Sequence, residues 1–119
     1  MLATSCSCGK GFEQDFERMV AELLPNDKLE QIPFDDVIWT HPYDVKAQAV
    51  KATEAYRKKY GDQWAPLYGV KRDGRWVIVF SPVDLCCGLE ESVTGDMLAY
   101  HREDAFPVIA NVFYYFVTP

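Results

Sequence analysis

Asp73-Gly74 lies between two runs that both read as β-strand, Leu67-Tyr68-Gly69-Val70-Lys71-Arg72 before it and Arg75-Trp76-Val77-Ile78-Val79-Phe80 after it. An Asp-Gly pair supplies the two positive-φ positions of a type I′ turn, whose twist matches that of the strands it joins. The pattern therefore predicts a β-hairpin over 67–80. Its second strand is apolar for five consecutive residues, Trp76 to Phe80, which predicts burial on both faces in the middle of a sheet. Ser81-Pro82 ends that strand.

Helical periodicity flanks the hairpin. Phe12, Phe16, Met19, Val20, Leu23 and Leu24 form one apolar stripe, and Pro25-Asn26-Asp27 stops it, so a helix is expected over 12–24. A second helix is expected from Asp44 to Tyr60, with Val45, Ala49, Ala52, Tyr56 and Tyr60 on one side and Gly61 at its end. Its other side carries Lys46, Lys51, Arg57, Lys58 and Lys59, either a solvated face or an anion-contacting one. Between Pro33 and Pro42 a short strand is expected at 37–40. After a loop containing Gly88, Glu90, Glu91, Thr94 and Gly95, a last helix begins near Glu103, which requires Pro107 to fall in its first turn. From Val108 to Val117 that helix is apolar nearly all round, interrupted by Asn111, and needs cover on more than one side. Met1-Leu2-Ala3-Thr4 reads as a strand entered halfway. Alternating strands and helices predict a layered α/β domain.

With 119 residues, 49% of them apolar and 25% charged, the chain has the size and composition of a single folded domain, 1–119. Twelve basic against eighteen acidic side chains give a net charge of −6, which argues against bulk affinity for nucleic acid or an anionic membrane. No apolar run approaches the ~20 residues of a membrane span, and no signal-peptide pattern opens the chain, so it is expected to be soluble.

The strongest candidate for chemistry is the turn after the first strand, Ser5-Cys6-Ser7-Cys8-Gly9-Lys10-Gly11. A thiol lifted on a sharp strand-to-helix turn sits near helix-terminal amides that lower its pKa, the geometry of a nucleophile elbow. Cys6 or Cys8 fits the central position, although the flanking glycines of a strict elbow are incomplete, and a structural turn with inert thiols competes. A thiol nucleophile also needs a base. His41 and His101 are the two histidines, and neither follows a buried strand. Cys86-Cys87 lies beyond the second hairpin strand, so Cys6, Cys8, Cys86 and Cys87 are weak candidates for a zinc site or a redox pair. Buried small hydrophobes are the alternative role for these cysteines.

Several stretches together resemble a known family. They are Ser5 to Gly9, the helix ending Leu23-Leu24-Pro25, Leu29-Glu30-Gln31-Ile32-Pro33, Gly69 to Trp76, Phe80-Ser81-Pro82-Val83-Asp84-Leu85-Cys86-Cys87-Gly88-Leu89-Glu90, Tyr100 to Ala105, and Ala110-Asn111-Val112. In that order they resemble the C-terminal part of the bacterial domain-of-unknown-function family four-one-five-nine. The resemblance implies a flavodoxin-like, class I glutamine amidotransferase-like sheet, shortened at its N-terminus. It also places Ser5 and Cys6 at the elbow and Phe80-Ser81-Pro82-Val83-Asp84 where a Phe-His-Pro-Glu would stand. Ser81 cannot accept a proton near pH 7, so the implied triad lacks its base. Thr4, where an acidic residue is expected, and the lysine-rich helix over 44–60 depart from the family pattern.

The reading that follows is a degenerate, non-catalytic domain that binds a small ligand or a protein partner at the C-terminal edge of its sheet. Ser5, Cys6, Ser81, Asp84, Cys86 and Cys87 would line that edge. The rival is a thiol-dependent hydrolase or amidotransferase using Cys6. The uncovered sheet edge and the apolar last helix together predict either a truncated chain or one that self-associates.

Overall fold

The fold is taken from a computed structural model, which describes residues 2–4, 12–85 and 98–118. In chain order the elements are β1 (Leu2–Thr4), α1 (Phe12–Leu23), β2 (Glu30–Gln31), α2 (Glu54–Tyr60), β3 (Tyr68–Arg72), β4 (Arg75–Ser81) and α3 (Arg102–Val117), with 3-10 turns at Val37–Trp39 and Val45–Ala47. The four strands form one sheet in the order β1-β4-β3-β2. β3 and β4 are antiparallel, as are β2 and β3, whereas β1 runs parallel to β4. The protein is thus mixed α/β.

The expected hairpin is present. Asp73 (φ 51°) and Gly74 (φ 78°) both take the left-handed conformation that the two-residue turn requires. β4 lies between β1 and β3, as its apolar run implies, but only Val79 to Ser81 are buried in succession. Val70 pairs with Ile78 and Lys71 with Trp76, so Val77 is the extra residue of a β-bulge and is left exposed. The bulge explains the unbroken apolar run, because it resets the side-chain alternation within the strand. Trp76 and Val79 turn to one face of the sheet, and Ile78 and Phe80 to the other.

Each face has its own cover. α1 presents Phe16 and Val20 to Val70 and Phe80, with the Phe16 and Phe80 rings stacked at 4.7 Å. Met19 and Leu23, which share its apolar stripe, remain exposed. On the other face Trp76 and Val79 join the larger core with Ile32, Ile38, Trp39, Tyr56, Leu67 and Tyr100, closed by Ala105, Val108 and Val112 of α3.

Three expected elements differ. In place of a strand at 37–40, Val37–Trp39 forms a 3-10 turn, because the Asp36 carboxylate accepts from the Ile38 amide (3.0 Å) and caps it. In place of a helix from Asp44, the helix starts only at Glu54. The backbone of 50–53 is engaged elsewhere: the Lys51 amide donates to the Asp104 carboxylate, the Thr53 amide to the Ala99 carbonyl (3.0 Å), and the Lys51 carbonyl accepts from His101 (2.9 Å). Ala52 bridges Tyr100 in antiparallel fashion, and the Thr53 hydroxyl then caps α2 at Tyr56. A helix through 44–53 would need those same groups for itself.

Finally, His101 is the N-cap of α3, so Pro107 falls in the second turn rather than the first. The carbonyl deprived of its donor belongs to Glu103, an exposed residue open to water. Among the described residues the cover on α3 is incomplete: Ala105, Val108 and Val112 are buried and Ile109, Tyr115 and Phe116 pack beside them, but the opposite face is open. Phe106, Phe113, Tyr114 and Val117 stay exposed, contrary to the expectation of cover on several sides.

Candidate functional site

The parallel pairing of β1 with β4 decides which residues meet at the sheet edge. Leu2 aligns with Val79, Ala3 with Phe80 and Thr4 with Ser81. The chain therefore leaves both strands at the same level, with Ser5 following Thr4 and Pro82 following Ser81. Ser5, Cys6, Cys8, Cys86 and Cys87 lie outside the described residues.

Ser81 and Asp84 are described, and both are buried. The Ser81 hydroxyl donates to the Val83 carbonyl (2.7 Å) and accepts from the Val83 amide (3.2 Å). This closes a side-chain turn over Pro82, so the hydroxyl is spent on its own loop. The Asp84 amide donates to Leu98 (2.8 Å), and Asp84 pairs in parallel with Ala99. The β4 strand direction is thus continued beside the segment that leads into α3.

The two histidines part company. His101 comes two residues after Ala99 and caps α3 without a side-chain hydrogen bond to the helix, while the ring of His41 stands 5.4 Å from that of Tyr114. Both are exposed. Among the described residues no group of three or more His, Cys, Asp or Glu is placed to hold a metal ion, and no helix is long and apolar enough to cross a membrane.

Of the basic face expected over 44–60, Lys51 pairs with Glu103, Arg57 with Asp62 (2.9 Å), and Lys59 lies over the Tyr60 ring. Two of the five basic side chains, Lys51 and Arg57, are thus paired with acids.

Sequence reasoning missed Asp104, a buried carboxylate that ties 50–53 to the start of α3. Its one signal was an acidic residue three positions after a helix-capping site. Burial pushes the Asp104 carboxyl above the usual carboxylate range, an effect only partly opposed by the Lys51 amide and the Lys51 charge, while Glu103 adds to it. The folded state therefore binds the Asp104 proton more tightly than the unfolded chain does. Its contribution to stability is full below the unfolded value and is lost as the pH rises through the folded one. Asp104→Asn keeps an acceptor for the Lys51 amide but removes the buried charge. Its melting temperature relative to the wild type is expected to rise between about pH 4 and pH 7. A difference that stays constant across paired thermal melts over that range would contradict this account.

Comparison with curated proteins and with solved structures gives no match. A family model does match, over residues 1–117, and its description is Domain of unknown function (DUF4159). Since the match spans nearly the whole chain, hairpin, Ser81 loop and α3 included, the chain belongs to the DUF4159 family.

Proposed function

We propose that this chain is a binding domain of amidotransferase-like ancestry whose catalytic machinery is degenerate, and that it holds a small ligand or a protein partner at the C-terminal edge of β1 and β4. The observation that carries the reading is the alignment of Thr4 with Ser81, together with the engagement of the Ser81 hydroxyl by Val83. The resemblance puts a catalytic histidine at position 81; a buried serine turned onto its own backbone offers no base there. The parallel β1/β4 pair, with helices against both faces of the sheet, supports flavodoxin-like ancestry, and open α/β sheets bind ligands outside the carboxyl ends of such strands.

The test is the reactivity of Cys6. If the machinery is degenerate, Cys6 should react with iodoacetamide at pH 6 to 7 no faster than free cysteine, whose pKa is about 8.5. Peptide mass spectrometry separates it from the other three cysteines. Labelling of Cys6 well ahead of free cysteine would assign an activated thiol and overturn the non-catalytic reading in favour of a hydrolase.

A further inference from the structure

The face of α3 turned away from the core is apolar. Phe106 is 49% exposed, Phe113 55% and Val117 81%, with Tyr114 at 40% beside them. Between Ala105 and Val117 the helix carries no charged residue at all. Solvent-facing helix surfaces are ordinarily polar, and side chains this large are seldom left together in water. Tyr43 extends the patch, its ring edge-on to Phe106 at 6.0 Å. The loop bearing Tyr43 is held against α3 by Asn111, which accepts from the Tyr43 amide (3.0 Å) and donates to its carbonyl (2.8 Å). The patch is therefore a built surface.

Spacing and size along this face point to the occupant. Phe106, Ala110, Phe113 and Val117 follow one another at intervals of four, three and four, the seam of a helix that packs lengthwise against another. Large and small side chains alternate along it, so one strip carries both knob and hole. If two copies of the seam pair antiparallel about a twofold axis, Phe113 meets the partner's Ala110 and Phe106 meets the partner's Val117. Such self-complementarity is what an isologous interface requires. Arg102, at the open start of the seam, would then lie near the carbonyl end of the partner's helix, where a cation is favoured.

The area suffices. The exposed parts of Tyr43, Phe106, Phe113, Tyr114 and Val117 come to roughly 500 Å² of mostly apolar surface, using typical side-chain areas. Two copies would hide about 1,000 Å², the lower bound for a specific contact, which fits a weak, reversible dimer.

We infer that the outer face of α3 is a self-association surface that pairs two copies of this chain through an antiparallel α3 seam. The experiment is sedimentation velocity on the full chain at up to roughly 100 μM, with three samples: wild type, Phe113→Glu, and Leu23→Glu as a control on the equally exposed apolar surface of α1. Wild type and Leu23→Glu should sediment as a species of about twice the 13.6 kDa chain mass as concentration rises. Phe113→Glu should weaken the association at least about 30-fold, leaving monomer, with an unchanged circular dichroism spectrum and melting cooperativity. Phe106→Glu gives a second reading should Phe113→Glu not fold. A wild type that remains monomeric at the highest concentration overturns the inference. So does an oligomer larger than a dimer, or loss of association in Leu23→Glu but not in Phe113→Glu. A monomer that instead co-sediments with phosphatidylcholine/phosphatidylglycerol vesicles through Phe113 would reassign the face to lipid.

Discussion

Asn111→Leu should lower the stability of this domain by about 3 kcal/mol, through three backbone groups that lose their partner at once. The Asn111 side chain is fully buried. Its amide nitrogen donates to the carbonyls of Ile38 and Tyr43, each at 2.8 Å, and its oxygen accepts from the Tyr43 amide. Leucine fills the volume but leaves all three groups unmatched. Tyr43 lies near the surface and can recover some hydration, whereas Ile38 is buried and cannot. The expected fall in melting temperature is about 10 °C or more. Asn111→Asp should do no better, since it keeps one acceptor, loses both donors and buries a charge. Urea midpoints for both variants, read against the wild type, check the expectation. A loss below about 1 kcal/mol for the leucine variant would mean that water replaces the clamp.

Gly69→Ala should cost about 3 kcal/mol for a single methyl group. A Cβ built on Gly69 would stand 2.6 Å from Cε3 of Trp76 and 2.7 Å from the carbonyl oxygen of Ile78. The indole crosses β3 where a side chain would otherwise rise, because the bulge at Val77 turns Trp76 onto that face. Nor is it free to withdraw. Its Nε1 donates to Asp36 (2.9 Å), its backbone amide donates to the Tyr115 hydroxyl (2.9 Å), and the Lys71 ammonium stands 4.8 Å from the ring centroid. The clash is directed at one side chain, so Trp76→Leu should remove most of it. In a double-mutant cycle the loss from Gly69→Ala should shrink by about half or more in the Trp76→Leu background. Equal losses in both backgrounds would locate the strain at the Ile78 carbonyl, which side-chain truncation does not relieve.

What was legible beforehand depended on how local its cause is. The hairpin was readable because two adjacent residues, Asp73 and Gly74, set its turn without help from the remainder of the chain. α1 was readable because its stripe and its Pro25 stop lie within one segment. The first part of the helix expected over 44–60 failed for the opposite reason. Its periodicity is real, but Asp104, Ala99 and His101, some fifty positions away, take its backbone groups. Asn111 was visible only as an interruption in an apolar run; that it clamps two carbonyls and an amide depends on the loop at 38–43 folding against it.

The candidate site divides in the same way. Ser81 and Asp84 were singled out by the resemblance to the family, and the family itself was legible from a succession of short motifs. The parallel β1/β4 pairing, which sets Thr4 level with Ser81, joins strands far apart in the sequence, a contact that no local window along the chain contains.

Sequence alone determined the turn at Asp73-Gly74, the amphipathic helix at 12–23, the acidic balance of the chain and its family, all properties of neighbouring residues or of composition. Only the tertiary structure decided that β1 lies parallel to β4, that Gly69 makes room for Trp76, that Asp104 and Asn111 are buried ties, and that α3 keeps one apolar face outside the core. Each of those depends on which distant groups meet, and buried polar atoms and close-packed rings are satisfied by partners in space rather than by neighbours in the chain.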